Sequence, residues 1–311
     1  NVYIGYFTGG QNANNLSSNI GIGWGSQLNI TYGWGRNVAV GDRTLYNNIN
    51  GGRLVAIGDS ALYANTSADA NIGVGYHAGK SITTGTRNIA LGYAALDNAD
   101  LESDNIAIGY DALGGTINGA EKNVVIGNYA GGAITEGDEN TLLGHQSGTT
   151  LTTASKSVAV GYRSLKNTDT GDRNTAVGYL SMEGAANNSA DQNAAFGGYT
   201  LKNVQDGATG NTGLGYLSLS AVTTGDKNIA IGYESGDNIT TGSNNVVIGA
   251  ADVSSATGSD QLSISSGDGS PVWITGNSSG GINSKAVVVA VSGNTTLTLA
   301  QTGSYVFWTN G

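Results

Sequence analysis

The chain has 311 residues, of which 51 are Gly, one is Pro and none is Cys; 12% are charged and the net charge is −10. So much Gly argues against helices, the lone Pro271 excludes collagen and polyproline architectures, and the lack of Cys excludes disulfide frameworks and thiolate metal sites. Lys and Arg stand singly, with no basic run to neutralise a row of phosphates, and no apolar stretch reaches the roughly 18 residues of a membrane span, so neither nucleic-acid binding nor membrane insertion is expected.

Val, Ile and Leu recur in short groups, which points to an all-β chain built from repeats. Aligned on N-x-A-[IVL]-G-Y, anchor glycines fall at Gly5, Gly23, Gly41, Gly58, Gly75, Gly92, Gly109, Gly127, Gly144, Gly161, Gly178, Gly197, Gly215, Gly232 and Gly249. Spacings are 17 or 18, with one of 19. Asn stands four residues before the anchor in thirteen of the fifteen repeats, Leu54 and Ser157 being the exceptions, and the residue just before the anchor is always apolar. Asn88, Gly92, Asn105, Gly109, Asn228 and Gly232 illustrate these structural anchors. The chain opens at Asn1 inside the first repeat, without Met or a signal peptide, as expected of a processed product or a fragment.

Within each repeat the residue two before the anchor is usually Ala or Gly, between bulkier neighbours. A period of two sets the bulky side chains on one face and the small one on the other, so a short strand is expected with Ile and Val in the core and the small residue on a flat outer face. After the anchor come an aromatic, a variable residue, a small residue and Leu or Gly, as in Tyr93-Ala94-Ala95-Leu96, read as a second strand. Turns such as Thr84-Gly85-Thr86-Arg87-Asn88 close the repeat, with Gly expected to supply positive φ. About 17 extended residues suffice for one flattened coil, and one coil cannot bury an apolar face alone, so the expected architecture is a parallel β-roll or β-solenoid of about 15 coils, with Asn amides laddered along it. The flat Ala/Gly face needs a cover, which motivates homo-oligomerisation.

Residues 1–254 are read as the β-roll repeat domain and residues 255–311 as a small non-repeating C-terminal β cap or the start of a distal module. The latter contains an apolar run, Lys285 to Val291, and an alternating one, Thr295 to Leu299, both with strand character.

Chemistry-bearing residues are sparse. No catalytic, cofactor-binding or metal-binding set is expected: His77 and His145 lie in different coils, with His145 in the aromatic slot and His77 a variable surface residue. Asp138, Asp172 and Asp226 recur in turns and read as solvated carboxylates rather than a paired acid and base. Tyr76, Tyr93, Tyr110, Tyr162, Tyr179, Tyr216 and Tyr233 form a candidate ligand-contact ladder, more simply read as an intramolecular stack sealing the roll or a groove between chains. Trp24, Trp34, Trp273 and Trp308 fall outside the repeat pattern, and Trp273 and Trp308 read as core or cap residues. Paired threonines such as Thr83-Thr84 and Thr223-Thr224 raise ice binding, but they are missing from too many coils for a regular array.

The segments Asn88-Ile89-Ala90-Leu91-Gly92, Asn105-Ile106-Ala107-Ile108-Gly109 and Asn228-Ile229-Ala230-Ile231-Gly232 resemble the head repeats of trimeric autotransporter adhesins, the YadA-like group, over about residues 1 to 252. That resemblance implies a left-handed parallel β-roll, three chains side by side and an extracellular adhesive head on a bacterial surface. The period here is a few residues longer than usual in that group, and neck, heptads and membrane anchor are missing from this sequence. The longer repeat, N-[TI]-A-[IVL]-G-Y-x-[AS]-L with T-T-G turns, is similar to fibre proteins of tailed phages, and Asp260 to Ile264 followed by Val272 to Gly276 resembles the way such repeats end before a distal module. The favoured expectation is thus a non-enzymatic, homotrimeric fibre on a virion surface, contacting other fibre proteins and presenting a module to a host glycan or envelope protein; the alternative is a bacterial surface adhesin or extracellular filament.

Overall fold

A computed structural model describes residues 1–9, 18–31, 35–184 and 189–284. Among them there is no helix: the chain is a parallel β-solenoid of about fifteen turns with some 17 residues per turn. Fifteen three-residue strands, β1 (Val2–Ile4) to β15 (Val246–Ile248), lie one per coil, each the three residues before an anchor glycine. Each pairs parallel and in register with the next, so that Ala90 lies between Gly73 and Ala107. At the usual strand spacing of about 4.8 Å, fifteen coils make a rod on the order of 70 Å long.

The strands turn the opposite face inward from the one expected. Ala39, Ala56, Ala90, Ala107, Ala159 and Ala230, all two before the anchor, are fully buried, while Ile57, Leu91, Leu143, Phe196, Leu214 and Ile231, one before it, are about 40–50% exposed. The reason is the width of the bore. A Cβ built on Gly73 would lie 2.9 Å from Leu62 Cγ, and one on Gly213 would lie 2.6 Å from Thr200 Cγ2, so the lumen beside the strand is already filled from across the coil.

What fills it comes from two columns after the anchor. Leu45, Leu62, Leu96, Leu113, Leu165 and Leu219, four after it, are fully buried, as are Ile82, Ile134, Leu151 and Ile239, seven after it. The columns compensate within a coil. Where the fourth residue is Gly, at Gly79, Gly131, Gly148 and Gly236, the seventh is Ile82, Ile134, Leu151 and Ile239, whose δ-carbons lie 2.8–3.1 Å from where the glycine Cβ would be. In two of these coils the strand residue also grows, to Val125 and Leu142. Where the fourth is Leu62 or Leu96, the seventh shrinks to Asn65 or Ala99. In these coils the two columns trade volume, as close packing favours, whereas Leu201 with Val204 and Leu219 with Val222 fill both positions.

The second expected strand does not form. After the anchor the backbone alternates into positive φ at the second and fourth residues, as at Ala94 (50°) and Leu96 (51°) or Asp111 (53°) and Leu113 (49°). For residues with a Cβ this conformation costs roughly 1–2 kcal/mol each, and hydrogen bonds to both neighbouring coils offset it. Ala94 N donates to Tyr76 O at 2.8 Å in the coil before, and Leu96 N to Ala112 O at 3.0 Å in the coil after. An extended strand could not wrap so narrow a bore; alternating handedness bends the chain while its amides stay paired.

Two glycine positions have separate reasons. The anchor Gly92 has φ +134°, and a Cβ there would also collide with the carbonyl of Gly109 in the next coil. The turn glycine Gly85 lacks the expected positive φ, which belongs instead to Arg87 (60°); Gly85 is required because a Cβ would strike the carbonyl of Glu102. Gly171 and Gly225 repeat this, with positive φ at Arg173 and Lys227.

The anchor Asn residues form a buried spine. Asn88, Asn105 and Asn228 are fully buried, and Asn105 N donates to Asn88 Oδ1 at 2.9 Å while Asn105 Nδ2 donates to Ala120 O at 3.0 Å. Asn228 does the same with Asn211 Oδ1 and Gly242 O. The ladder therefore runs chiefly from amide oxygen to backbone N–H, with side-chain pairs such as Asn245 Nδ2 to Asn228 Oδ1 (2.9 Å) added toward the C-terminal end. Ser157 continues it through its hydroxyl, which accepts Asn174 N at 3.2 Å.

The sequence pattern stops near Ser255, but stacking continues one turn further. β16 (Leu262–Ser265) pairs parallel with β15, and Gln261 takes the place of Asn, donating its N–H to Asn245 Oδ1 at 2.9 Å. The chain then reverses: β17 (Val272–Gly276) and β18 (Ile282–Ser284) add antiparallel. Trp273, expected as a core or cap residue, is 50% exposed on β17. Trp34, Trp308 and the runs 285–291 and 295–299 lie outside the described residues.

Replacing Asn105 by Ala strips an acceptor from Asn123 N and a donor from Ala120 O at a fully buried site. A loss of about 2–5 kcal/mol in denaturant unfolding is expected, against less than about 0.5 for the exposed Asn98→Ala.

Candidate functional site

The outer face of the strands continues past the anchor into the aromatic slot, so three columns run side by side along the rod: the third and first residues before each anchor, and the first after it. Ile20, Ile72 and Ile229 represent the first column, Leu91, Leu143 and Ile231 the second, and Tyr76, Tyr93 and Tyr233 the third, all exposed. Asp42 and Asp59 are the only acidic or basic side chains in the three columns apart from His145. Charges collect elsewhere, in the turn column with Arg53, Arg87, Asp104 and Lys122, where Arg87 Nε meets Asp104 Oδ1 at 2.6 Å. That pair lies in water and contributes little to stability.

All seven tyrosines singled out from the sequence stand in the aromatic column, exposed by between 37% (Tyr162) and 56% (Tyr233). Tyr76 and Tyr93 stack at 5.0 Å, Tyr93 and Tyr110 at 4.9 Å, Tyr162 and Tyr179 at 5.3 Å and Tyr216 and Tyr233 at 5.7 Å. Three further rings make the column continuous from Tyr76 to Tyr233. His145 fills the slot of its own coil, 5.6 Å from Tyr162. Tyr129 and Tyr199, one residue later in coils whose slot holds Asn128 and Gly198, swing back to bridge the gaps, 5.2 Å from Tyr110 and 5.4 Å from Tyr179. The missed signal was simple: between Tyr76 and Tyr233, the two slots that lack a ring are each followed by a Tyr. Trp24 likewise follows an anchor, Gly23, and so belongs to the repeat pattern after all.

Stacking decides what this column can do chemically. A ring 5 Å from a parallel neighbour on each side has no free face, so a sugar cannot lie on Tyr93; the edge and hydroxyl remain for contact. The stack that begins at Tyr76 ends at Tyr233, whose successor in the slot is Ala250 and which therefore has a face without a ring partner in the next coil. There a cavity of about 330 Å³ is lined by Tyr233, Glu234, Asp237, Ala250, Asp252 and Asp268, among others. The Glu234 hydrogen bond and charge raise the Tyr233 pKa. Burial, and then the Asp252 carboxylate beside it, push Asp237 up to about 6.

The turn carboxylates are more than solvated. Asp138 Oδ1 accepts Glu121 N at 2.7 Å, Asp172 Oδ1 accepts Ser155 N at 2.8 Å and Asp226 Oδ1 accepts Thr209 N at 2.8 Å. Ser103, Ser155 and Ser243 do the same with hydroxyls, so Asp and Ser are interchangeable here because each offers one oxygen to the preceding coil. Thr66, Thr135, Thr223 and Thr240 donate their hydroxyls to carbonyls of the next coil, which ties down the groups an ice-like lattice match would need.

His77 lies beside the column, its ring 3.8 Å from Tyr76, with its pKa lowered by burial and then by Lys80. Among the described residues no group of three or more His, Cys, Asp or Glu could hold a metal ion, and no helix is long and apolar enough to cross a membrane. No family model matches the chain, and neither a curated protein nor a solved structure matches it.

Two half-buried carboxylates set a pH dependence. Burial and then the charge of Asp111 raise Asp97 to about 6, as burial and Asp252 do for Asp237. The folded chain thus binds more protons than the unfolded one between pH ~4 and ~6, so stability falls as pH rises through that window. A melting temperature that declines from about pH 4 to 6 is expected, with Asp97→Asn and Asp237→Asn each flattening the decline and raising the melting temperature at pH 7.

Proposed function

We propose that the chain is a structural fibre segment, a parallel homotrimer of β-solenoids on a virion surface that holds a distal module away from the particle. One observation carries the reading: the uncharged outer stripe, unbroken except at Asp42 and Asp59, runs the length of the rod with Ile, Val, Leu and Tyr exposed. Three columns wide and fifteen coils long, it covers on the order of 1,000 Å², beyond what soluble monomers expose and enough for a standard interface. The face expected to need a cover, the Ala/Gly column, is sealed inside; the Ile/Val face is the one left bare.

A second copy suits the stripe because it has the same coil rise, so residue contacts repeat in register over every turn. The anchor glycines bend the chain between the aliphatic columns and the aromatic one, which gives two unlike facets. A chain with two unlike facets meets two neighbours, and such heterologous contacts form a ring when the rotation between neighbours closes and an open filament when it does not. Three is the smallest such ring, and it agrees with the resemblance of the repeats to trimeric heads and phage fibres. Function is then mechanical: continuous hydrogen bonding between coils stiffens the rod, and three identical chains present the module, and its host glycan or envelope protein contacts, with avidity. No enzymatic step is assigned.

Light scattering should give a native mass of three chains. Leu91→Lys with Ile231→Lys, both on the bare face, should reduce it to one chain while circular dichroism stays unchanged, whereas Ala107→Leu, pointing into the bore, should lose the fold. A single-chain mass for the unaltered protein would overturn the proposal.

A further inference from the structure

The coil between the anchors Gly109 and Gly127 departs from the usual turn pattern. Its turn is lengthened to hold Asn118-Gly119, and the coil before it carries Glu102 where Gly85, Gly137, Gly171 and Gly225 stand in other turns. Glu102 is 94% buried (6% exposed) and forms no ion pair among the described residues; Oε2 accepts Asp100 N at 2.7 Å and Leu101 N at 3.0 Å. Those two bonds fix the carboxylate so that Oε1 meets Gly119 N at 3.0 Å. Gly119 has φ +108°, is exposed, and has no atom within 4 Å of the position a Cβ would take. Asn118 is exposed too, its backbone N–H held by Thr135 O at 2.8 Å and its side chain without a hydrogen bond among the described residues.

A free Asn carboxamide, a following Gly with no side chain to shield its nitrogen, and a carboxylate on that nitrogen's hydrogen are the parts of a cyclisation. We propose that Asn118-Gly119 is a spontaneous deamidation site in which Glu102 takes the Gly119 amide proton. The Gly119 nitrogen attacks Asn118 Cγ, the N–Cγ bond forms, and the Cγ–Nδ2 bond breaks. The nitrogen leaves as ammonia, with the removed proton delivered to it through solvent. Water then opens the succinimide at either carbonyl, giving aspartate or isoaspartate, so the only co-reactant is water. The product adds a charge, and in the isoaspartate form a methylene, to the backbone that pairs with Thr135.

The fold supplies its own control. Asn50-Gly51 is the same dipeptide, but Gly51 is buried, its N–H is held by Asn48 Oδ1 at 2.9 Å, and a Cβ there would collide with the Ala68 carbonyl. That nitrogen cannot swing onto a side chain without breaking the coil.

The test is to incubate the folded full-length chain in heavy-oxygen water and digest it with trypsin, which separates residues 88–122 from residues 44–53. Label is expected at Asn118 several-fold faster than at Asn50, and faster than at Asn88, Asn98 and Asn105 in the same peptide; equal rates, or a faster Asn50, would overturn the site. Glu102→Gln, near in shape but not basic, should slow Asn118 several-fold, and an unchanged or faster rate would remove Glu102 from the step. Because that variant could disturb its coil, the unaltered chain is followed as well. Between about pH 6 and 8 the Asn118 rate should rise less steeply than in proportion to hydroxide, as general-base removal of the proton requires, and strict proportionality would exclude Glu102.

Discussion

The narrow bore of the solenoid is the constraint on which the rest depends. With some 17 residues per turn, the lumen is filled largely by side chains from the far wall, such as Leu62 or Leu96, and in most coils leaves room for only Gly or Ala beside the strand, Tyr3, Val125, Leu142 and Val247 being the larger exceptions. The strand must then present its small residue inward, and the Ile and Val that β-propensity demands at a strand have nowhere to go but outward. An apolar outer stripe is thus a geometric consequence of a thin tube rather than an added feature. The same constraint replaces the second strand by alternating positive-φ turns, since an extended segment cannot close so tight a circuit.

Polar groups inside such a tube have little water to turn to, so each coil must satisfy its neighbours. The Asn spine does this from within, offering Oδ1 to one backbone N–H and Nδ2 to one carbonyl in most repeats, as at Asn88 and Asn105. The Asp and Ser column does it from the rim. Because both ladders link coil to coil, stability is shared between neighbours, as expected of a quasi-one-dimensional stack. The acids that depart from the pattern, Asp97 and Asp237, sit beside another carboxylate and are the places where burial is felt as a shifted pKa.

The tyrosine column belongs to the outside of this arrangement and shows how a repeat can conserve a surface while varying its sequence. Where the slot after the anchor loses its ring, at Asn128 and Gly198, the next residue restores it with Tyr129 and Tyr199, whose positive φ carries the side chain back toward the column. The column, parallel-stacked at Tyr76, Tyr93 and Tyr110 but tilted or edge-on at Tyr129 and Tyr199, presents chiefly edges and hydroxyls. It suits a contact that repeats along a fibre better than a pocket for one small ligand.

The sequence by itself determined the period, the parallel stacking of coil on coil, the Asn ladder and the aromatic column, because each follows from residues recurring at fixed distance from Gly5 to Gly249. Alternation alone could not say which face of the strand turns inward: period two separates Ile89 and Leu91 from Ala90 but gives no sign, and hydrophobicity points to the wrong one. Tertiary structure decided it, through the reach of Leu96 and Ile82 across the bore from positions outside the strand. It also decided that Gly85 is needed for the carbonyl of Glu102 and not for its own φ, and that Tyr129 and Tyr199 complete the stack. In each case the missing quantity was a distance between neighbouring coils or across one coil, set by the diameter and pitch of the stack and not by any local run of residues.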